Sequence, residues 1–249
     1  DGLYCQFDHC AMGLGTEQYN REANIGREAQ DAFSALSHER AAAAMKDGRF
    51  RDEIAPVSVP QRKGDPLVVE EDEGVRPGTT AESLSGLKPA FDKSGTITAG
   101  NASQISDGGA AVIVMSRAKA ESLGVTPLGE IVSYGQVAGP NASLLAQPAN
   151  ATEQALQKAG KKVGDVALFE INEAFAVVGL ASMKQLGISD DVTNVNGGAI
   201  ALGHPIGMSG TRLALTSLHE LKRRGGGLAA VSLCGGGGQG DALLLKSLA

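Results

Sequence analysis

Cys234 and His204 are the two side chains whose neighbours in this 249-residue sequence suggest chemistry. Four glycines, residues 235–238, follow Cys234, and His204 stands between Gly203 and Pro205. A thiolate is a nucleophile and a base, and an imidazole exchanges protons near neutral pH. Glycines lack Cβ, so a substrate carbonyl can approach backbone N–H groups and be stabilised there as an oxyanion. The pattern predicts a thiol and an imidazole acting on a carbonyl compound.

Asn172 begins a third segment of interest, Asn-Glu-Ala-Phe-Ala over residues 172–176. Its amide is suited to hold a water molecule or to orient the imidazole ring. The apolar segment 166–171 precedes Asn172, and a second one, 228–233, precedes Cys234. In an open α/β sheet, ligands bind at the carboxyl ends of the strands. We therefore expect the three segments to meet there.

Each of these residues also has a purely structural interpretation. A single cysteine is more often a small buried apolar side chain, and a single histidine in a loop is more often structural. The glycine run fits a flexible turn. Neither a phosphate-binding loop nor a dinucleotide-binding glycine pattern fits the sequence. The joint occurrence of the three segments favours a functional site.

The elements that would position these residues alternate between helix and strand in the second half of the chain, which predicts a layered α/β domain. Asn150 and Glu153 resemble a capping box ahead of a helix. Residues 74–105 read as loops, and 54–69 as short strands interrupted by prolines. The predicted helices are 26–46, 117–123, 151–159, 173–186 and 209–224. The further predicted strands are 110–115, 129–134, 166–171, 228–233 and 242–245.

The composition excludes several classes of protein. No apolar run reaches the length of a membrane span, and the first residues do not resemble a secretory signal. The net charge is −6 and neither half of the chain has an excess of Lys and Arg, which argues against a nucleic-acid partner. Three cysteines cannot form a disulfide framework, so the sequence predicts a cytoplasmic location.

Three segments resemble the C-terminal signature sequences of the thiolase family: NEAFA at 172–176, NVNGGAIALGHPIGMSGTR at 194–212 and CGGGGQGD at 234–241. Further matching blocks occur in family order at 1–3, 12–13, 47–50, 89–92 and 98–103. The resemblance covers essentially the whole chain and implies the layered αβαβα thiolase fold. It assigns 1–105 to the loop domain that covers coenzyme A, 106–126 to the last elements of the N-terminal domain and 127–249 to the C-terminal domain.

The resemblance also implies an activity. Thiolases form or cleave a carbon–carbon bond between two acyl-CoA thioesters, as in acetoacetyl-CoA. One cysteine takes up the acyl group and a second removes a proton from acetyl-CoA. Cys234 resembles this second cysteine, and His204 resembles the histidine that activates the first and lines an oxyanion hole. Asn172 resembles the residue that holds a water molecule in that hole, and the N–H of Gly236 would contribute to the other hole.

Contacts with coenzyme A are also implied by position. The resemblance places Leu3, Met12, Phe91 and Phe175 beside the pantetheine, Ser103 in a hydrogen bond to it, and Lys88 near the nucleotide. Acyl-CoA and coenzyme A are then the ligands, with no further cofactor and no metal. Residues 144–148, Leu-Leu-Ala-Gln-Pro, depart from the family's usual sequence near the acyl pocket, so the acyl-chain length is open.

The acyl-accepting cysteine of the family lies in a Cys-x-Ser-Gly sequence, which surrounds neither Cys5 nor Cys10. We therefore expect the chain to be the C-terminal part of a thiolase without its N-terminal domain, and to be inactive alone. On this view the N-terminal part was removed or lost, or forms a separate chain. The family resemblance favours a homodimer or homotetramer. A strand at 110–115 would then have an open edge.

Two other classes of function are compatible with the residues. One is a non-catalytic CoA- or lipid-binding protein built on the thiolase fold. The other is a metal-binding or redox module that uses Cys5, His9 and Cys10, although these give at most three ligands. Intact Asn172, His204 and Cys234 favour the enzyme over both.

Overall fold

The structure is a computed structural model that describes residues 2–248, so Asp1 of the first matching block and Ala249 of the predicted C-terminal domain lie outside it. The strands are β1 Tyr4–Cys5, β2 Cys10–Ala11, β3 Val57–Val59, β4 Leu67–Val69, β5 Gly129–Ala138, β6 Leu168–Ile171, β7 Leu228–Gly235 and β8 Gln239–Ser247. The α-helices are α1 Met12–Ala23, α2 Arg27–Lys46, α3 Ala81–Ser85, α4 Arg117–Leu123, α5 Gln147–Ala159, α6 Ala176–Leu186, α7 Ala199–Leu202 and α8 Ser209–Arg223. Across residues 2–248, no helix is both long and apolar enough to cross a membrane.

A four-stranded sheet, in the order β5-β8-β7-β6, positions the candidate site. Strands β6 and β7 are parallel, whereas β8 is antiparallel to both of its neighbours. Ile171 lies opposite Ser232, and the N–H of Asn172 donates to the carbonyl of Ser232 at 2.9 Å. Asn172 and Cys234 therefore follow the two parallel strands to the same edge of the sheet, as predicted from the sequence.

Helices cover both faces of this sheet. On one face, Ile171, Ala230 and Leu244 pack into a core with side chains of α5 and α6. On the other face, Val231 and Leu245 pack against Leu213 of α8. Because successive strand residues point to opposite faces, β7 and β8 supply side chains to both cores. This arrangement is the layered α/β domain that the sequence predicts.

Several predicted elements form with small shifts in their ends. The predicted helices 26–46, 117–123 and 209–224 correspond to α2, α4 and α8, and the predicted helix 173–186 begins at residue 176. Gly124 ends α4 in a left-handed conformation, with φ of 64°. The predicted strands of the second half also form, and β5 extends to residue 138.

The predicted strand 110–115 does not form. The segment has no strand partner among the residues described, and the side chains of Ile113 and Val114 are 87% and 71% exposed. A strand needs a neighbour to pair its backbone groups, so an apolar run alone does not make one. The interpretation of this run as a buried strand was therefore wrong for this chain.

The predicted capping box at Asn150 is also wrong. Helix α5 begins at Gln147, with Pro148 in its first turn, so Asn150 lies inside the helix. Its Oδ1 atom accepts a hydrogen bond from Gln185 Nε2 at 2.8 Å. Proline in the first turn needs no N–H partner, which allows the helix to begin before the apparent cap.

Glu170 of β6 carries a carboxyl group that the sheet and α8 bury completely. Arg212 Nη1 lies 3.3 Å from its Oε2 atom, while Oε1 has no hydrogen-bond partner. Desolvation outweighs the attraction of Arg212 and raises the pKa of Glu170 to about 8. The neutral acid is therefore the favoured form in the folded protein at neutral pH.

Replacing Glu170 by glutamine is expected to make the protein less sensitive to alkaline pH. Because the pKa of Glu170 is raised on folding, its contribution is fully present below pH 4.5 and is lost as the pH rises through about 8. Between pH 5 and pH 8.5 the free energy of unfolding of the variant, measured with urea, should increase by about 2–3 kcal/mol relative to that of the unmodified protein. Glu153→Gln, an exposed acid of α5, is the control and should leave the pH dependence unchanged. Parallel pH profiles for Glu170→Gln and the unmodified protein would contradict the assignment.

Candidate active site

A cavity of about 500 Å³ lies at the carboxyl ends of β6 and β7. Seven of the ten predicted site residues line it: Leu3, Met12, Ser103, Phe175, His204, Cys234 and Gly236. Residues 2–7 and 103–106 line it together with residues around His204 and Cys234. The thiol and the imidazole that the sequence singles out thus share one cavity.

Cys234 is the next-to-last residue of β7 and lies opposite Gly240 of β8. Its thiol is free, and desolvation raises the pKa of Cys234 to about 12. The group is therefore protonated at neutral pH. Once it has given its proton to a departing group, the resulting thiolate is a stronger base than an ordinary cysteine thiolate.

His204 follows α7 through Gly203, whose φ of 93° favours glycine. A Cβ at Gly203 would lie 2.3 Å from Ser106 Oγ, so the backbone of this turn passes close to the opposite wall of the cavity. Burial, aided by the positive charge of Arg212, lowers the pKa of His204 below 6.5. The neutral imidazole is thus the form present at pH 7.

The hydrogen bonds of His204 define its tautomer. Ser209 Oγ donates its proton to the carbonyl of Pro205 at 2.9 Å, so at its contact of 2.5 Å with His204 Nδ1 it must accept. Nδ1 therefore carries the ring proton, and Nε2 is left with a lone pair. Asn172 Nδ2 donates to this Nε2 at 3.2 Å. Nε2 is ready to take a proton and becomes a hydrogen-bond donor after doing so.

Asn172 is fully buried behind the histidine and does not line the cavity. Its Oδ1 atom has no hydrogen-bond partner. A buried amide oxygen without a partner is costly, and a water molecule can satisfy it. The NH2 group of the amide thus binds His204, and its oxygen is free to accept a hydrogen bond from a water molecule.

Gly236 lies in the turn between β7 and β8, on the cavity wall. A Cβ at this position would lie 2.5 Å from Met12 Cε, so only glycine lets Met12 pack against the backbone there. Gln147 of α5 holds the same turn from outside the cavity, because its Nε2 atom donates to the carbonyl of Gly238 at 2.7 Å and to that of Gly139 at 2.9 Å.

The predicted contacts with coenzyme A fall into two groups. Phe175 is buried at the cavity wall, and Ser103 lies beside it with its N–H bonded to the carbonyl of Ala174 at 3.0 Å. Phe91 is not on the wall, but its ring meets that of Phe175 edge-on, with centroids 6.2 Å apart. Lys88 is exposed on a loop and does not reach the cavity.

Sequence reasoning missed Glu173, which holds the segment that leads to His204. Its Oε2 atom accepts from Ser37 Oγ at 2.6 Å and from the N–H of Ile200 at 3.0 Å, and its Oε1 atom accepts from Asn194 Nδ2 at 2.8 Å. Burial raises the pKa of Glu173. The carboxyl joins α2 to α7, and a Cβ at Gly198 would lie 2.2 Å from it. An acidic residue beside Asn172 was the only sequence signal.

Sequence reasoning also missed Ser209, which begins α8 five residues after His204.

Replacing Ser209 by alanine removes the acceptor for the Nδ1 proton of His204, so the population of the Nε2–H tautomer is expected to increase. Any reaction that uses Nε2 as a base should then slow about tenfold. Nitrogen NMR shifts of the ring report the tautomer. Ser217→Ala, a buried serine of the same helix that bonds to the carbonyl of Ala214, is the control. An unchanged tautomer would refute this positioning role.

Cys5, His9 and Cys10, the candidate ligands of a metal-binding module, do not form a metal site in the structure. Among residues 2–248, no group of three or more His, Cys, Asp and Glu side chains is arranged to hold a metal ion. His9 has a φ of 50°, which places it in the turn between β1 and β2.

Comparison with known proteins places this chain in one family. The family model described as "Thiolase, N-terminal domain" matches residues 1–118, and "Thiolase, C-terminal domain" matches residues 125–247. The chain belongs to the thiolase family. The prediction that it lacks the N-terminal domain is wrong, because the model of that domain matches nearly half of the chain.

Relatives and solved structures agree with this assignment. The chain is 60% identical over 246 residues to the probable acetyl-CoA acetyltransferase of Mycolicibacterium smegmatis, covering 99% of this chain and 63% of the relative. It superposes with a TM-score of 0.95 on the acetyl-CoA acetyltransferase of Bacillus anthracis, at 41% identity, covering 99% of this chain and 62% of that one. For human mitochondrial 3-ketoacyl-CoA thiolase in complex with CoA, the TM-score is 0.92 at 43% identity. The superposition covers 98% of this chain and 61% of that one. These matches confirm the thiolase fold, and the chain spans just over three fifths of each relative's length.

Proposed function

We propose that the protein is an acyl-CoA:acetyl-CoA C-acyltransferase that condenses or thiolytically cleaves 3-ketoacyl-CoA such as acetoacetyl-CoA. The observation that carries the proposal is the shared cavity of Cys234 and His204, with the Nε2 lone pair of His204 held by Asn172. Relatives named acetyl-CoA acetyltransferase support this choice of reaction.

Cys234 acts as the acid and base of the carbon–carbon step. The neutral thiol protonates the departing coenzyme A thiolate, and the thiolate that remains removes a proton from the methyl group of acetyl-CoA. Its raised pKa suits both steps, because the thiol is protonated at rest and its conjugate base is strong. The negative charge that develops on the thioester oxygen is stabilised by nearby N–H groups, with Gly236 as the candidate donor.

His204 serves the acyl-accepting step. Its Nε2 atom takes the proton of a nucleophilic thiol, after which the same nitrogen is a donor for an oxyanion. Asn172 holds the ring, and its unpartnered Oδ1 atom supports a bound water molecule beside it. The sequence Cys-x-Ser-Gly, in which the family carries its nucleophile, does not occur in these 249 residues. The described residues thus account for proton transfer and oxyanion stabilisation.

Coenzyme A would enter along the wall formed by Leu3, Met12 and Phe175, with Ser103 as its polar contact. Leu3 is 57% exposed at the cavity rim, which leaves its side chain free to pack against the pantetheine. In this arrangement residues 1–105 cover the ligand and 127–249 supply the acid and base. Leu144 belongs to segment 144–148, whose sequence differs from the family's usual one. Its side chain lines the cavity and limits the space for the acyl chain.

The free thiols and one exposed apolar segment support a proposal on location and assembly. All three cysteines are free thiols, which supports a reducing compartment such as the cytoplasm. The exposed apolar side chains of Val112, Ile113 and Val114 support burial against another protein surface, as in a homodimer or homotetramer.

Exchange of the acetyl protons of acetyl-CoA with deuterium in heavy water tests the proposal. This exchange needs a base and an oxyanion site but no acyl-accepting thiol. Exchange above the buffer rate, which rises with pH because the thiol of Cys234 has a raised pKa, is expected by mass spectrometry. Binding of coenzyme A without any exchange would favour the non-catalytic CoA-binding alternative.

A further inference from the structure

Cys5 and Cys10 face each other across the short hairpin of β1 and β2. They are direct partners in the antiparallel register, so their side chains leave the same face of the ladder. Directly opposed residues of an antiparallel pair have Cα atoms about 4.5 or 5.5 Å apart. Both values lie inside the range of roughly 4.4–6.8 Å that a disulfide spans. The backbone therefore already has the geometry of a cross-strand disulfide.

The surroundings of the two thiols differ in a way that suits stepwise oxidation. Cys10 is partly exposed, whereas Cys5 is buried and lines the cavity. The N–H of Asp8 donates to Cys5 Sγ at 3.4 Å. Cys10 Sγ lies beside Gly15, where a Cβ would be in van der Waals contact with it at 3.4 Å. Neither thiol has a part in the proposed reaction.

We propose that Cys5 and Cys10 form a reversible disulfide at the rim of the cavity. The oxidant is a low-molecular-weight disulfide. The Cys10 thiolate attacks one of its sulfur atoms, the S–S bond breaks, and one small thiolate leaves. The Cys5 thiolate then attacks Cys10 Sγ, and the second small thiolate leaves. The two protein thiols are oxidised, their protons pass to solvent, and one small disulfide is reduced to two thiols.

The disulfide would restrict the part of the cavity wall that the β1–β2 hairpin forms. Tyr4, Gln6 and Phe7 line the cavity together with Cys5. The ring of Phe7 also lies over the glycine turn, since a Cβ at Gly237 would be 2.5 Å from Phe7 Cε2. A bond between Cys5 and Cys10 ties these residues into a closed ring and restricts their movement.

Tryptic digestion after equilibration with a glutathione redox buffer tests the proposal. Both cysteines lie in the peptide that ends at Arg21, whereas Cys234 lies in the peptide 225–246. We expect the first peptide to lose two hydrogens and to resist alkylation until a reductant is added. In the native protein the equilibrium constant for this disulfide should exceed that in urea by about tenfold or more, because the fold holds the thiols opposite each other.

Two variants separate this disulfide from others. Cys234→Ser should keep the loss of two hydrogens, and Cys10→Ser should abolish it and leave Cys5 open to alkylation. A disulfide that joins the two peptides, a disulfide between two chains, or an equilibrium constant no larger in the native protein than in urea would each overturn the proposal. The readout is a peptide mass, so it is independent of acyl transfer.

Discussion

Replacing Cys234 by serine is expected to lower deuterium exchange into acetyl-CoA by a factor of about 100 or more. Serine is close to cysteine in size, so the cavity and the binding of coenzyme A should persist. The hydroxyl, however, is a far weaker acid than a thiol and cannot supply a populated base. In an enzyme that also carries the acyl-accepting cysteine, condensation should fall with the exchange rate, whereas acyl uptake by the Cys234→Ser variant should stay measurable.

The control for this experiment is Cys10→Ser, assayed with a reductant present. It also removes one thiol, but from a residue outside the cavity wall, and should leave the exchange rate within about twofold because it removes no catalytic group. An exchange rate in Cys234→Ser close to that of the unmodified protein would mean that another group removes the proton.

In an enzyme that also carries the acyl-accepting cysteine, replacing His204 by alanine is expected to slow acyl uptake and condensation by about 100- to 1000-fold each, because one ring serves as base in the first step and as oxyanion donor afterwards. The unmodified protein should lose activity as the pH falls below about 6.5, where the lowered pKa of His204 is approached and the ring becomes protonated. The residual activity of the variant should not show this decrease at acidic pH. Stopped-flow measurement of the two half-reactions across pH 5–8 checks both points.

His219→Gln is the matched control for His204→Ala. His219 lies on α8 away from the cavity and, like His204, has a pKa lowered by burial, although its side chain is the more buried of the two. A comparable loss of activity in both variants would indicate a general structural effect of removing a buried histidine. Slowing of only one half-reaction in His204→Ala would require a different role for the ring.

The sequence predicts the placement of Asn172 and Cys234 at one end of the sheet well because the signals for it are local. Strands β6 and β7 are short apolar runs, and Asn172 and Cys234 follow or end them. The glycines around Cys234 and His204 reflect close backbone approaches, which the structure contains at Gly203 and Gly236. Residue type and position along the chain were sufficient for these features.

Features that depend on partners distant in sequence could not be predicted in this way. Segment 110–115 has the composition of a strand but no neighbour to pair with among residues 2–248. Ser209 looks like an ordinary first residue of a helix, and only the hydrogen bond of its hydroxyl to Pro205 reveals that it sets the tautomer of His204. Lys88 has a suitable charge, but its loop lies away from the cavity. These outcomes depend on tertiary geometry.

The error about the N-terminal domain has a related origin. The absence of one short sequence around a cysteine does not imply the absence of a whole domain. The family's N-terminal model matches through residue 118, because helices, turns and packing positions carry family information as well as the nucleophile does.

The glycine turn after Cys234 has no side chains of its own to fix its shape, and Gln147 holds it through two carbonyls. Gln147 belongs to α5, which packs against the sheet through Ala149 and Leu156. Substitutions along this helix can therefore shift the peptide groups of the glycine turn without contacting the cavity. Evolution can in this way adjust the proposed reaction from outside the cavity while leaving every reacting atom in place.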